Sequence, residues 1–171
     1  MKPASLRVGL ISDTHGLLRP EALDAMRGSD VIVHAGDIGD AGILDALGRI
    51  APVIAVRGNN DVGSWASGIR ESETFDAAGV MIHVVHDLAG IGIDPAASGM
   101  SVVVSGHSHR PSQARRDGVL YINPGSAGPR RFSLPVAAGR LTIRDGTVEP
   151  ELIELRLSAA PHALKSHARA V

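Results

Sequence analysis

Three short apolar runs, Leu6 to Ile11, Val31 to Val33 and Val53 to Val56, each stop abruptly at a polar, glycine-marked loop. Runs of this length, rich in branched aliphatic residues, read as buried strands. Between them lie two helical stretches. Pro20 suits the first position of a helix from Pro20 to Arg27, with Leu23 and Met26 on one face and Gly28 as its stop. Asp40 suits the N-cap of a second helix, which carries Ile43, Leu44, Leu47 and Ile50 on one stripe and closes at Pro52. Strand, polar loop and helix in this alternation predict a parallel α/β half, and ligands of such sheets collect at the carboxyl ends of the strands.

The second half changes character. Val80 to Val85, Val102 to Val104, Val119 to Ile122, Leu141 to Ile143 and the alternating Ile153 to Leu157 read as strands with little helix between them. They predict a second, largely antiparallel or mixed sheet packed on the first. Residues 1–157 are expected to form a single domain, and 158–171, without a sustained apolar period, a flexible and mildly basic tail.

The 171 residues, 44% hydrophobic and 20% charged, suffice for one such domain with a sizeable core. With 17 basic against 18 acidic residues and a net charge of -1, the chain has no global basic field, and only 2% of its residues are aromatic. Nucleic acid is therefore an unlikely partner. No apolar run reaches the ~20 residues of a membrane span, and the start Met1-Lys2-Pro3-Ala4-Ser5-Leu6 lacks a secretory apolar core. A cytoplasmic protein with no membrane partner is expected; homo-oligomerisation stays open. Cysteine is absent, which excludes disulfides and thiolate metal sites, whereas eight histidines call for an explanation.

The polar loops supply it. Ser12-Asp13-Thr14-His15-Gly16 follows the first strand, and on extended backbone Asp13 and His15 would point the same way. His34-Ala35-Gly36-Asp37, Arg57-Gly58-Asn59-Asn60-Asp61, His86 and Gly106-His107-Ser108-His109 occupy the equivalent place after later strands. Seven candidate ligands thus follow strands: Asp13, His15, Asp37, Asn59, His86, His107 and His109. Four imidazoles are too many for Mg or Ca, and an oxygen and nitrogen set suits Mn, Fe, Zn, Co or Ni. Seven ligands exceed the needs of one ion, but two ions about 3.5 to 4 Å apart, with Asp37 as the shared carboxylate, would use them all. Two divalent ions, two carboxylates and a bridging hydroxide leave roughly one positive charge for an anionic ester.

In order along the chain, Asp13-Thr14-His15, Gly36-Asp37, Gly58-Asn59-Asn60-Asp61, His86 and Gly106-His107-Ser108-His109 resemble the motif series of the calcineurin-like metallophosphoesterase superfamily. More narrowly, the chain resembles its small bacterial and archaeal phosphodiesterases, related to the phosphoesterase-like subunit of retromer. The resemblance runs from the first strand through Asn123-Pro124-Gly125-Ser126. It implies an α/β four-layer sandwich of two mixed β-sheets flanked by helices. It also implies one metal held by Asp13, His15, Asp37 and His109, and another held by Asp37, Asn59, His86 and His107, with manganese the expected ion.

The function expected is hydrolysis of phosphodiesters or activated phosphate esters by a metal-bridging hydroxide, on a small-molecule substrate. A protein-interaction scaffold on the same fold, with weak or structural metal binding, is the alternative. Two departures from the family pattern stand out. Where catalytic relatives often carry His, and the small branch often Cys, this chain has Asn60; where Gly commonly follows the His86 equivalent, it has Asp87. Asn60 and Asp61 are the candidate catalytic residues, and Asn60 and Arg130 the candidate substrate contacts, with Arg131 beside them. His34 and His83 read as structural, Asn123 as part of a type II turn that could support the site, and His162 and His167 as bystanders.

Overall fold

The structure, a computed structural model, describes residues 4–158. The region expected as a tail, with His162 and His167, lies almost wholly outside them. Ten strands form two five-stranded mixed sheets. In chain order these are β1 (Leu6–Ile11), β2 (Val31–His34), β3 (Val53–Ala55), β4 (Ser72–Ala77), β5 (Val80–Val85), β6 (Val102–Val104), β7 (Ser112–Arg116), β8 (Val119–Asn123), β9 (Ala137–Arg144) and β10 (Thr147–Glu154). The first sheet runs β10-β9-β1-β2-β3 and the second β4-β5-β6-β8-β7.

In the first sheet β1, β2 and β3 are parallel, joined by α1 (Pro20–Met26) and α2 (Ala41–Gly48). Pro20 opens α1, and the Asp40 carboxylate caps α2 by accepting the Gly42 N–H at 2.6 Å. Side-chain alternation then builds the layers. Val8 and Leu10 of β1 face Ile82, Val84, Val102 and Val104 of the second sheet, whereas Ile11 faces outward among Met26, Ile43 and Leu47 of the helices. Both α-helices cover the first sheet. The outer face of the second sheet carries Val85, Val103, Val119 and Tyr121, packed with Ile91 from a segment that holds one 3₁₀ turn.

The last two strands part from the sequence reading. Leu141 to Ile143 and Ile153 to Leu157 were expected in the second sheet; instead β9 pairs antiparallel with β1, and β10 pairs with β9 at the edge of the first sheet. β10 also begins earlier, at Thr147, because Asp145 (φ 50°) and Gly146 (φ 74°) form a two-residue turn of the type I′ pattern that fixes the register. Pro150 is tolerated there because an edge strand needs no donor on its open side. Two strands absent from the sequence reading, β4 and β7, arise in the same way, across Ala78-Gly79 and Asp117-Gly118.

Parallel strands deliver the loops to one edge. The loops after β1 and β2 meet those after β5, β6 and β8: His86 Nδ1 bonds Ala35 O, the His107 N–H donates to Asp13 Oδ2, and the Ser126 hydroxyl donates to Asp13 O.

Candidate metal centre

β1 ends at Ile11, so Asp13 and His15 do not converge by strand alternation. Both lie in the left-handed region, at φ 53° and 44°, and so do Asp37, His107 and His109. Five of the nine non-glycine residues with positive φ among the described residues are thus candidate ligands. Such conformations are sparsely populated and persist where surrounding contacts over-determine them. Here two glycines permit the crowding. A Cβ on Gly58 would overlap Asp37, and one on Gly106 would overlap the Ser12 hydroxyl.

Two groups of side chains offer ligand atoms mutually within 4.8 Å: Asp13, His15 and His109, and Asp13, Asp37 and His86. Asp13 is buried and uses its oxygens differently. Oδ2 accepts the Ser12 hydroxyl at 2.6 Å and the His107 N–H at 3.1 Å. Oδ1 has no hydrogen-bond partner and lies 3.3 Å from His109 Nε2 and 3.8 Å from His15 Nε2. Asp37 Oδ2 faces both sides of the centre, 3.7 Å from His15 Nε2 and 3.3 Å from His86 Nε2.

His86 defines what belongs between these atoms. Its Nδ1 donates to Ala35 O at 2.7 Å, which leaves Nε2 as the bare nitrogen of a neutral ring, buried without a hydrogen-bond partner. The 3.3 Å approach to Asp37 lacks hydrogen-bond geometry, so a lone pair faces a carboxylate. Only a proton or a cation makes that arrangement favourable. Without a metal a proton fills the role: burial pushes the His86 pKa down, but the contacts to Asp37 and Ala35 O and the charges of Asp13 and Asp37 outweigh it and raise it. At Asp37 burial pushes the carboxyl up, yet His86 and the Asn60 amide hold it well below the usual carboxylate range. At His15 burial wins over the attraction of Asp37 and Asp13 and lowers the pKa, with the nearby Arg131 charge adding to it. A bare imidazole nitrogen, one unpartnered carboxylate oxygen and two acids at one point fit divalent cations better than they fit each other.

The remaining candidates lie around this cluster. Asn59 is exposed and lines one cleft with His86 and His107. The His107 ring stands edge-on to His86 with centroids 5.2 Å apart, and its Nε2 lies 3.8 Å from Asp87 Oδ2. Asn60 donates its backbone N–H (2.9 Å) and its Nδ2 (3.0 Å) to Asp37. Asp61 is buried, with its carboxylate accepting the N–H groups of Ile38, Gly39 and Gly58, so it clasps the loop after β2 to the loop after β3. Arg130 is exposed and donates Nε to Leu134 O, while its neighbour Arg131 is the arginine whose charge reaches His15.

Support comes from residues outside the candidate ligand set. His34 accepts the Gly36 N–H on Nδ1, so its Nε2 donates to Thr14 Oγ1, which in turn donates to Ile38 O. Asn123 donates Nδ2 to Gly106 O at 2.8 Å and to Ser108 Oγ at 3.1 Å, and Ser126 donates to Asp13 O. Hydroxyls just before and after an acidic candidate ligand, as at Ser12 and Thr14, were the signal available for such support. His83 sits mid-strand, hydrogen-bonded to Thr74 on the far side of the sheet.

Residues 6–146 match the calcineurin-like phosphoesterase superfamily domain. The chain belongs to that superfamily. It is 31% identical over 164 residues to a probable metallophosphoesterase of Methanocaldococcus jannaschii, covering 88% of this chain and 82% of the relative. Among solved structures, a novel archaeal phosphodiesterase superposes with a TM-score of 0.71 at 21% identity, covering 86% of this chain and 100% of the other. Vps29 of Entamoeba histolytica complexed with zinc superposes at 0.67 with 20% identity, covering 87% and 99%. At these identities the structural likenesses establish the fold, two mixed sheets in an α/β sandwich. Among the described residues no helix is long and apolar enough to cross a membrane.

Proposed function

We propose that the chain is a binuclear metal-dependent phosphoesterase that hydrolyses phosphodiesters or activated phosphate esters. The observation that carries this is the unpartnered His86 Nε2 and Asp13 Oδ1 facing a cluster of acids and imidazoles in a chain of this superfamily. Asp13, His15, Asp37 and His109 would hold one ion and Asp37, Asn59, His86 and His107 the other, with Asp37 shared because its Oδ2 faces His15 and His86 alike. Bound there, two divalent ions, manganese first among them, would neutralise phosphoryl oxygens and acidify water towards ~7.

The protein's own part is positioning. Asp61 fixes the two loops that carry Asp37 and Asn59, and Ser12 and the His107 N–H turn Asp13 Oδ1 inward. Exposed Asn60 would donate a hydrogen bond to a substrate oxygen; as an amide it cannot protonate a leaving group. General acid help contributes typically ~10² to 10⁴ in rate, so alkyl esters should suffer and nitrophenyl esters be spared. Arg131, whose charge reaches His15, is with Arg130 a candidate to meet an anionic ester.

The test is hydrolysis of bis-p-nitrophenyl phosphate by manganese-loaded protein, with metal content measured alongside. Two ions per chain and a rate that falls steeply as leaving-group pKa rises are expected. If the loaded protein hydrolyses no mono- or diester above background, the scaffold reading replaces this one.

A further inference from the structure

Two clefts flank His107 and share Asp87 as their common wall. They differ in charge. In the first, which contains Asn59 and His86, the Arg57 guanidinium is taken by Glu71 at 2.9 Å. In the second, Arg116 lies with its guanidinium carbon 4.4 Å over the Tyr121 ring and makes no ion pair with a described carboxylate. Stacking fixes the guanidinium plane and leaves its N–H edge to bind an anion.

Strand register gives the distance. Asn123, bonded to Gly106 O and Ser108 Oγ, marks the His107 end of this cleft. Tyr121 lies two residues earlier on β8, paired with Ala114 of β7, which places the guanidinium roughly 7 Å farther along the strand. The near end carries the opposite sign. Asp87 Oδ1 is held by the Ala89 N–H at 3.0 Å and Oδ2 points at His107, so a carboxylate guards the stretch next to the centre.

From this polarity we infer that the β7–β8 cleft seats one ester arm of the substrate, an arm that is uncharged beside Asp87 and ends in a second anionic group, such as a phosphate, at Arg116. The inference rests on the phosphoesterase reading and narrows its substrate class to diesters with one anion-terminated arm. A neutral linker avoids Asp87, and the terminal anion meets a cation that has no ion pair among the described residues.

The experiment uses two inert alkylphosphonate diesters with a linker spanning roughly 7 Å, one ending in hydroxyl and one in phosphate, titrated calorimetrically into manganese-loaded protein. Matching p-nitrophenyl diesters are then compared by kcat and KM. The phosphate-ended member of each pair should bind about tenfold tighter or show a tenfold lower KM, the scale of one charge-assisted contact. Arg116→Gln should erase the difference. Arg115→Gln, whose parent side chain reaches Val148 O outside the cleft, should keep it. Equal affinities in the parent, or a preference that survives Arg116→Gln or vanishes equally in Arg115→Gln, overturns the subsite. Absence of turnover with the inert pair still discriminated would instead sink the phosphoesterase reading and leave the anion subsite standing.

Discussion

His34 shows how a single side chain couples the loops to the acidity of the medium. It is fully buried, accepts from Gly36 and donates to Thr14, and burial lowers its pKa from 6.5 to about 4 despite the nearby carboxylates. The folded state therefore keeps the ring neutral where the unfolded chain takes a proton. The stability this residue contributes is complete above pH 6.5 and is lost as pH falls towards 4, by about 3 kcal/mol. His15 and His83, also lowered by burial, act in the same direction, while His86, raised, opposes them. Urea unfolding from pH 7.5 to 4, with chelator present to keep metals out, should show this fall. A His34→Gln variant should be less stable at neutral pH but show a slope shallower by His34's share; an identical slope would refute the assignment.

Among the elements, glycine does two separable jobs. Gly58 makes room for Asp37 at the centre, whereas Gly146 supplies the left-handed position of the β9–β10 turn. That turn lies beyond the Leu6↔Ile143 pair, at the end of β1 opposite Asp13. Gly146→Ala should therefore cost about 1 to 2 kcal/mol of stability and leave metal affinity intact. Gly58→Ala should displace Asp37 and lower metal affinity at least tenfold, the lower end of what disturbed metal-site support costs. Calorimetric metal titration together with denaturant unfolding separates the two variants, and loss of metal affinity in Gly146→Ala would contradict the division. The same turns explain which elements escaped the sequence reading. β4, β7 and the start of β10 lie across Ala78-Gly79, Asp117-Gly118 and Asp145-Gly146, and β7 is exposed throughout, so it has no apolar period to read.

At the scale of the whole molecule, the cluster leaves two buried acids close together, and cations that bind only the folded chain must stabilise it. Manganese at a hundredfold excess over its dissociation constant should add about 2.7 kcal/mol per independent ion, and chelation should remove it. Thermal unfolding with and without metal reads the effect. An Asp37→Asn variant should lose most of it, and an unchanged shift in that variant would exclude Asp37 as a shared ligand.

By itself the sequence determined that strands end in polar loops rich in candidate ligands, because apolar runs and the glycine and polar residues that stop them are local signals. The ordered motifs from Asp13 to His109 then pointed to the family, and the family to the fold. Tertiary structure alone decided how those loops converge. Asp13 and His15 meet their partners through left-handed backbone rather than strand alternation, a conformation enforced by hydrogen bonds from loops more than twenty residues away. It alone returned β9 and β10 to the first sheet, because pairing partners depend on which edge is free and not on the strand's own residues. It alone set Arg116 over Tyr121 along the cleft from His107, since a cross-strand contact has no trace in spacing along the chain.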